Sequence, residues 1–295
     1  MNIIRGVAFF MQNRYDLITY SYEDKKILAV MVVSLLTIAS AAEETSWTSA
    51  WLEHVSKIQE VQPHWVTPLV TVTPRLEQEI RFDYVDQLNT PSGHELQNYG
   101  NGKGLEIIPT DNIELILNVP PYLSHNNIKI DDGFGDFAAL IKYRILSANA
   151  VSGNYILTAF LGVSFPTGQY KNGSPTTIFT PSIAGGKGWG NIDIQSTVGV
   201  TIPDIGDTSH TILWNTSFQY KIDPFFWPEV EFNYSHFTGG PNVGRDQAFV
   251  TPGIMFGRFP IANRVGFTVG AGMQIGISEF KNYDHAWLVS ARLPF

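Results

Sequence analysis

From about residue 69 to its end the chain alternates, residue by residue, between apolar side chains and polar or small ones. Residues 264–277 show this most plainly. Val265, Phe267, Val269, Ala271, Met273, Ile275 and Ile277 are apolar, and Arg264, Gly266, Thr268, Gly270, Gly272, Gln274 and Gly276 fall between them. Successive side chains of a strand point to opposite faces, so a period of two builds a sheet with one apolar face and one that is not. Three further stretches sort the same way: Ile212, Trp214, Thr216, Phe218, Tyr220 and Ile222 against their neighbours, Val230, Phe232 and Tyr234 against Glu229, Glu231, Asn233 and Ser235, and Ile192, Ile194, Val198 and Val200 against Asp193, Gln195, Thr197 and Gly199.

A soluble sandwich also alternates, so the connections decide. Short ones lie near Pro109–Asn112, Ser147–Ser152, Gly188–Asn191, Asp223-Pro224 and Arg258–Ala262. Longer ones, rich in Gly, Asn and Pro, lie near Leu88–Gly102, Pro121–Asp132, Thr167–Thr176, Pro203–His210, Thr238–Arg245 and Lys281–Asp284. Short and long alternate, as tight periplasmic turns and external loops do, and they count out about twelve strands. The expected fold is all-β: a transmembrane antiparallel up-and-down β-barrel preceded by a short amphipathic helix. Gly and Pro interrupt the alternation near 103–109 and 177–187.

Composition agrees. Charged residues make up 16% of the 295 residues, against about 25% in soluble domains. Mean hydropathy is nevertheless near neutral at -0.02, because the two faces of each strand cancel. After residue 41 no run approaches the roughly 18 apolar residues of a spanning helix. The absence of cysteine excludes disulfides and thiol chemistry, and a net charge of -8 argues against a nucleic-acid partner.

The one long apolar run, Ile27–Ala42, follows Lys25-Lys26 and ends in small residues, so residues 1–42 are expected to hold a signal peptide cleaved near Ala42. A membrane anchor is the alternative. Asp16, Glu23 and Asp24 do not suit a signal n-region, so translation is expected to start downstream of Met1 and residues 1–23 to lie outside the natural chain. Residues 43–68 are expected to form a helix and linker, and 69–295 the barrel. In the former, Trp47, Trp51, Leu52, Val55 and Ile58 recur at helical spacing opposite Glu53, Ser56, Lys57 and Glu60. This helix either trails free, lies on the membrane surface or plugs the lumen.

The final strand aligns Trp287, Val289, Ala291, Leu293 and Phe295 on one face, resembling the C-terminal signal by which outer-membrane barrels engage the assembly machinery. The expected partners are outer-membrane lipid, that machinery and a small-molecule solute.

Several stretches, in order, resemble the barrel family described as "MetA-pathway of phenol degradation". They are Trp65-Val66-Thr67-Pro68 with Arg75–Tyr84, Asp132-Gly133-Phe134-Gly135-Asp136 leading to Lys142-Tyr143-Arg144, Phe165-Pro166-Thr167-Gly168, Trp227-Pro228-Glu229-Val230-Glu231 and Thr251-Pro252-Gly253. The resemblance covers most of residues 65–295. It implies an outer-membrane barrel with a transport role linked to aromatic compounds, and it names no solute.

The inward face is expected to carry Arg75, Glu77, Glu79, Arg81, Asp83, Glu114, Asp136, Lys142, Arg144, Asp193, Lys221, Glu229, Glu231, Arg264 and Arg292, since Arg or Lys on the lipid face costs roughly 2–4 kcal/mol near the midplane. Such a lumen is either a set of compensating ion pairs or a selective constriction, and the two overlap. A solute path would follow Arg75, Glu77, Glu79, Arg81, Glu114, Lys142, Arg144, Lys221, Glu229, Glu231, Arg264 and Arg292. Glu229 and Glu231 share one face, as do Glu77 and Glu79, which suits acid/base hydrolysis, although an arginine partner is the commoner fate of such pairs. The seven histidines show no metal spacing. A phospholipase would need Ser and His near the outer face, and His236 lacks the Ser-Asn-Gly run of that enzyme. No catalytic residue and no cofactor is expected. Phe225, Phe226, Trp227, Trp189, Tyr234, Phe237 and Tyr283 fall near strand ends and are expected to form interfacial girdles, with an aromatic solute path as the alternative. The expected function is an outer-membrane channel for small, aromatic or otherwise apolar molecules. The alternatives are a structural or adhesive barrel with an occluded lumen and, third, a hydrolase.

Overall fold

The computed structural model describes residues 46–90, 93, 95–127, 129–204, 210–262 and 264–295. The proposed signal segment and start site lie outside them. The barrel unit runs from Leu52 to Phe295. Ahead of the wall stands helix α1 (Ser46–Glu60), in which Val55 and Ile58 are buried and Glu53, Lys57 and Glu60 exposed.

The wall contains β1 (Glu79–Leu88), β2 (Leu96–Gly100), β3 (Gly104–Thr110), β4 (Ile113–Asn118), β5 (Tyr122–His125), β6 (Gly133–Phe134), β7 (Phe137–Ala148) and β8 (Tyr155–Phe165). It continues through β9 (Ile178–Trp189), β10 (Ile192–Pro203), β11 (Thr211–Tyr220), β12 (Phe226–Phe237), β13 (Asp246–Pro260), β14 (Gly266–Gly276) and β15 (His285–Pro294). Each strand pairs antiparallel with its neighbours, and β1 pairs with β15 from Glu79↔Pro294 to Leu88↔His285. The sheet is thereby closed and has no free edge.

Twelve staves make up this wall. Stave two is β2 with β3, stave three β4 with β5, and stave four β6 with β7, each broken at one common level. The breaks have local causes. Gly100, Asn101 and Gly102 all have positive φ, and Pro120-Pro121 supply no amide to a ladder. Expected loops at 88–102 and 121–132 therefore contain the short strands β2 and β5.

Alternation decides what faces lipid. Ile141, Leu161, Ile183, Val198, Ile212, Trp214, Phe218, Val230, Trp287 and Val289 are all at least 41% exposed. That apolar belt is stable only against hydrocarbon. The opposite face holds Arg81, Asp83, Glu114, Lys142, Gln195, Ser217, Gln219, Glu231, Thr251 and Arg292, all under 5% exposed, so the core of the protein is a polar lumen. The expected short turns lie at one end of the barrel, which in such barrels faces the periplasm.

The first stave differs from expectation. The strand foreseen from about residue 69 begins at Glu79, and residues 61–78 form neither helix nor strand.

Candidate functional site

Residues 61–78 form a strap inside the barrel. Pro63, Pro68 and Pro74 punctuate Val70, Thr71, Val72 and Thr73, so the segment reads as extended but has too few amides for a continuous ladder. An extended segment buried without a strand partner needs hydrogen bonds from elsewhere. The wall's side chains supply them.

On one side, acids accept its amides. Leu69 N–H donates to Glu229 Oε1 at 3.0 Å. Val70 and Thr71 N–H donate to the two oxygens of Glu231 at 2.7 and 2.6 Å. On the other side, cations donate to its carbonyls. Arg81 Nη2 reaches Leu69 O at 2.6 Å, Arg292 Nη2 reaches Pro68 O at 2.7 Å, and Arg292 Nη1 binds Thr67 O. Neutral groups complete the ladder: Gln195 Nε2 to Val66 O at 3.1 Å, Thr197 Oγ1 to Val72 O at 3.0 Å and Thr158 Oγ1 to Pro74 O at 2.6 Å. Lys142 Nζ donates to Arg75 O at 3.1 Å while ion-paired to Glu114 at 2.9 Å. Charge-assisted bonds of this kind each contribute about 1.5–3 kcal/mol.

Packing fixes the strap's register. Leu69 is 2% exposed, and a Cβ on Gly253, Gly270 or Gly272 would lie 2.6–2.8 Å from its side chain. The indole of Trp65 occupies the space that a Cβ on Gly186 or Gly188 would need. These glycines are small because the strap's side chains take their place.

At the short-turn end the strap joins α1, whose final carbonyls are met by the rim. Arg144 Nη1 donates to Ile58 O at 2.9 Å, Asn149 Nδ2 to Glu60 O at 3.0 Å and Ser147 Oγ to Val61 O at 3.0 Å. A helix leaves its last carbonyls without internal partners, so this contact stabilises the end of α1. The strap, not the helix, fills the lumen. Toward the other end Tyr283 stacks on the buried Phe249 with ring centroids 4.7 Å apart and its hydroxyl binds Gln274.

Beside the strap, at the short-turn end, lies a cavity of about 650 Å³. Arg75, Lys221, Arg258, Arg264 and Arg292 line it together with Glu60, Glu77 and Glu79 and the rings of Trp65, Phe225 and Trp227.

Of the expected solute-path residues, Arg81, Glu114, Lys142, Glu229, Glu231 and Arg292 come together around the strap. Arg75 and Glu77 belong to the strap itself, ion-paired at 2.9 Å, and Glu79 opens β1 beneath them. Arg144 lies at the rim, and Lys221 and Arg264 at the cavity. Asp136 is a correction. It accepts Thr167, Gly168 and Ser174 N–H at 3.1, 2.8 and 2.6 Å, organising the 166–177 connection, because the stave break beside Gly135 takes it out of strand register. Trp227 and Tyr283 are corrections to the girdle: Trp227 is 6% exposed and lines the cavity, and Tyr283 folds over Phe249.

Arg258 was missed, and the reason is a bulge. Phe256 pairs with Val269 and Phe259 with Phe267, so Gly257 and Arg258 together oppose Thr268, and Arg258 joins the inward face. Nothing in the alternation marks that extra residue. The strap's contacts were likewise hidden, since they join its main-chain groups to wall side chains up to 225 positions away in sequence.

No family model matches the chain, and no curated protein does. Solved structures do. An outer membrane channel from Pseudomonas putida F1 superposes with a TM-score of 0.53 at 15% identity, covering 78% of this chain and 100% of that one. The NanC porin gives 0.47 at 9% identity over 74% and 98%, and the KdgM porin 0.43 at 8% over 73% and 99%. At such identities the likeness concerns the fold. With its closed wall, outward apolar belt and polar interior, the chain has the fold of a bacterial outer-membrane β-barrel.

Proposed function

We propose that the protein is a channel for small, aromatic or otherwise apolar molecules, held closed in this conformation by its own strap. The observation that carries this reading is the chemistry of the strap's seat. A permanently filled interior is as stable, or more so, when built from apolar residues, because buried ion pairs seldom repay their desolvation. This wall instead presents Glu229, Glu231, Arg81 and Arg292, groups that water solvates well once the strap leaves, and the strap is held without any covalent bond. The resemblance of Trp65–Pro68 and the later motifs to the phenol-degradation barrels supports the choice of aromatic solutes.

The second reading, a structural or adhesive barrel, draws on the same strap, which leaves the middle of the lumen packed. Conductance separates the two. The refolded chain beginning at Glu43 is compared in a planar bilayer with a chain beginning at Glu79. Intermittent conductance in the first and steady, larger conductance in the second support the channel. Silence from both, with heat-modifiable gel migration proving a folded barrel, supports the occluded structural reading.

A further inference from the structure

We infer that the cavity beside the strap is a binding site for a small aryl carboxylate. Three of the cations around it have no ion-pair partner. Lys221, Arg258 and Arg264 form no ion pair among the described residues. Arg258 Nη2 donates at 2.7 Å to the main-chain oxygen of Arg264, and Arg264 Nη1 donates to Ser56 Oγ. The guanidinium groups are thus held by neutral acceptors, and the buried Nε of Arg264 has no hydrogen-bond partner. The three carboxylates on the same wall do not cancel the charge of the five cations that line it. Glu77 is committed to Arg75 at 2.9 Å, Glu60 is exposed at the end of α1, and the buried Glu79 forms no ion pair with Lys221, Arg258 or Arg264. Like charges gathered around one cavity repel, and an anion there relieves the repulsion while accepting paired N–H bonds from arginine.

The rest of the wall defines the body of the ligand. Trp65 and Trp227 are each 6% exposed and present ring surface to the cavity, with Phe225 beside them. Lys221 Nζ lies 5.3 Å from the centre of the Trp227 ring, so the cationic and aromatic parts of the wall meet. A cavity of 650 Å³ is within the range of about 300–1,000 Å³ typical of small-molecule sites. Cations on one part and indole faces on the other suit a flat ring carrying one carboxylate. The β13 bulge that turns Arg258 inward gives the site a cation that strict alternation would have sent to lipid.

As a station on a solute path this site rests on the channel reading above, whereas as a binding site it does not. The test is calorimetric titration of the refolded chain in detergent with benzoate, its neutral analogue benzamide, and acetate, alongside conductance of the same preparation. Benzoate is expected to bind saturably, benzamide and acetate at least about tenfold more weakly, and Arg258→Gln, Arg264→Gln and Lys221→Gln each to weaken benzoate by about tenfold, as loss of a charged hydrogen bond does. Heat-modifiable migration checks that each variant folds. Lys221→Gln, at the strand end and outside the bulge, serves where an arginine variant fails that check. No saturable benzoate binding, equal binding of benzamide or acetate, or full affinity in the folded variants overturns the proposal. Benzoate binding without conductance leaves the site standing and removes the channel.

Discussion

Glu231 holds two consecutive strap amides with one carboxylate, at 2.7 and 2.6 Å, and is itself fully buried. Glu231→Gln keeps one acceptor and turns an NH₂ toward the other amide, so one charge-assisted bond is lost and the other becomes neutral, weakening the strap's seat by about 1.5–3 kcal/mol. The expected outcome is a shorter closed dwell time in single-channel records by roughly ten- to a hundredfold, with the barrel's heat-modifiable migration unchanged. An unchanged dwell time means that the strap is not held there. Leu69→Ala tests the apolar part of the same seat. It empties the space formed by Gly253, Gly270 and Gly272, a loss of about 2–5 kcal/mol, and is expected to expose the strap to added protease in the folded barrel. Protection equal to that of the unmodified chain would discount this contact. At this scale the sequence is informative about face and silent about partner. Glu229 and Glu231, two apart on β12, announce a shared inward face, but their hydrogen bonds go to main-chain amides of residues 69–71, which carry no side-chain signature.

Among elements, those with uninterrupted alternation were legible, and those shaped by main-chain chemistry were not. β14 and β15 follow the period-two reading closely, with Trp287 and Val289 outward and Ala286, Leu288, Ser290 and Arg292 buried. The strap shares the apolar and polar alternation of a strand in Val70, Thr71, Val72 and Thr73, yet Pro68 and Pro74 bracket it, and β15 already pairs with β1. With no free edge to join, the segment goes inside. The positive-φ residues at 100–102 and the paired prolines at 120–121 break two neighbouring staves at one level for equally local reasons. The β1–β15 strand register starts at Glu79, and beyond it the strap adds one main-chain bond to the seam, Phe295 N–H to Gln78 O at 3.0 Å. A chain beginning at Glu79 is therefore expected to fold to a heat-modifiable barrel whose unfolding midpoint in denaturant is lower, since the strap's bonds and its buried Trp65 and Leu69 are gone. Failure of this shorter chain to fold would make the strap a core element and not a plug.

For the whole molecule, the two faces of the wall have exchanged the usual roles of outside and inside. The exterior is stable only in hydrocarbon, and the interior relies on hydrogen bonds between charged side chains and a captured main chain. This division was legible from alternation, low charge and near-neutral hydropathy together, while the filling of the lumen was not, because a polar inward face is equally compatible with water and with a strap. The division makes a depth-dependent prediction. Val198, in the middle of β10, and Ile192, at its short-turn end, are both outward, 46% and 49% exposed. Their cost on substitution by arginine depends on how far the guanidinium lies from the headgroups: about 2–4 kcal/mol near the midplane and about 0–1 kcal/mol at the interface. Denaturant titration of folding into phospholipid vesicles is expected to show Val198→Arg destabilised by that larger amount and Ile192→Arg nearly unchanged. Equal effects at the two sites would mean that the apolar belt is not centred on the membrane as the strand register requires.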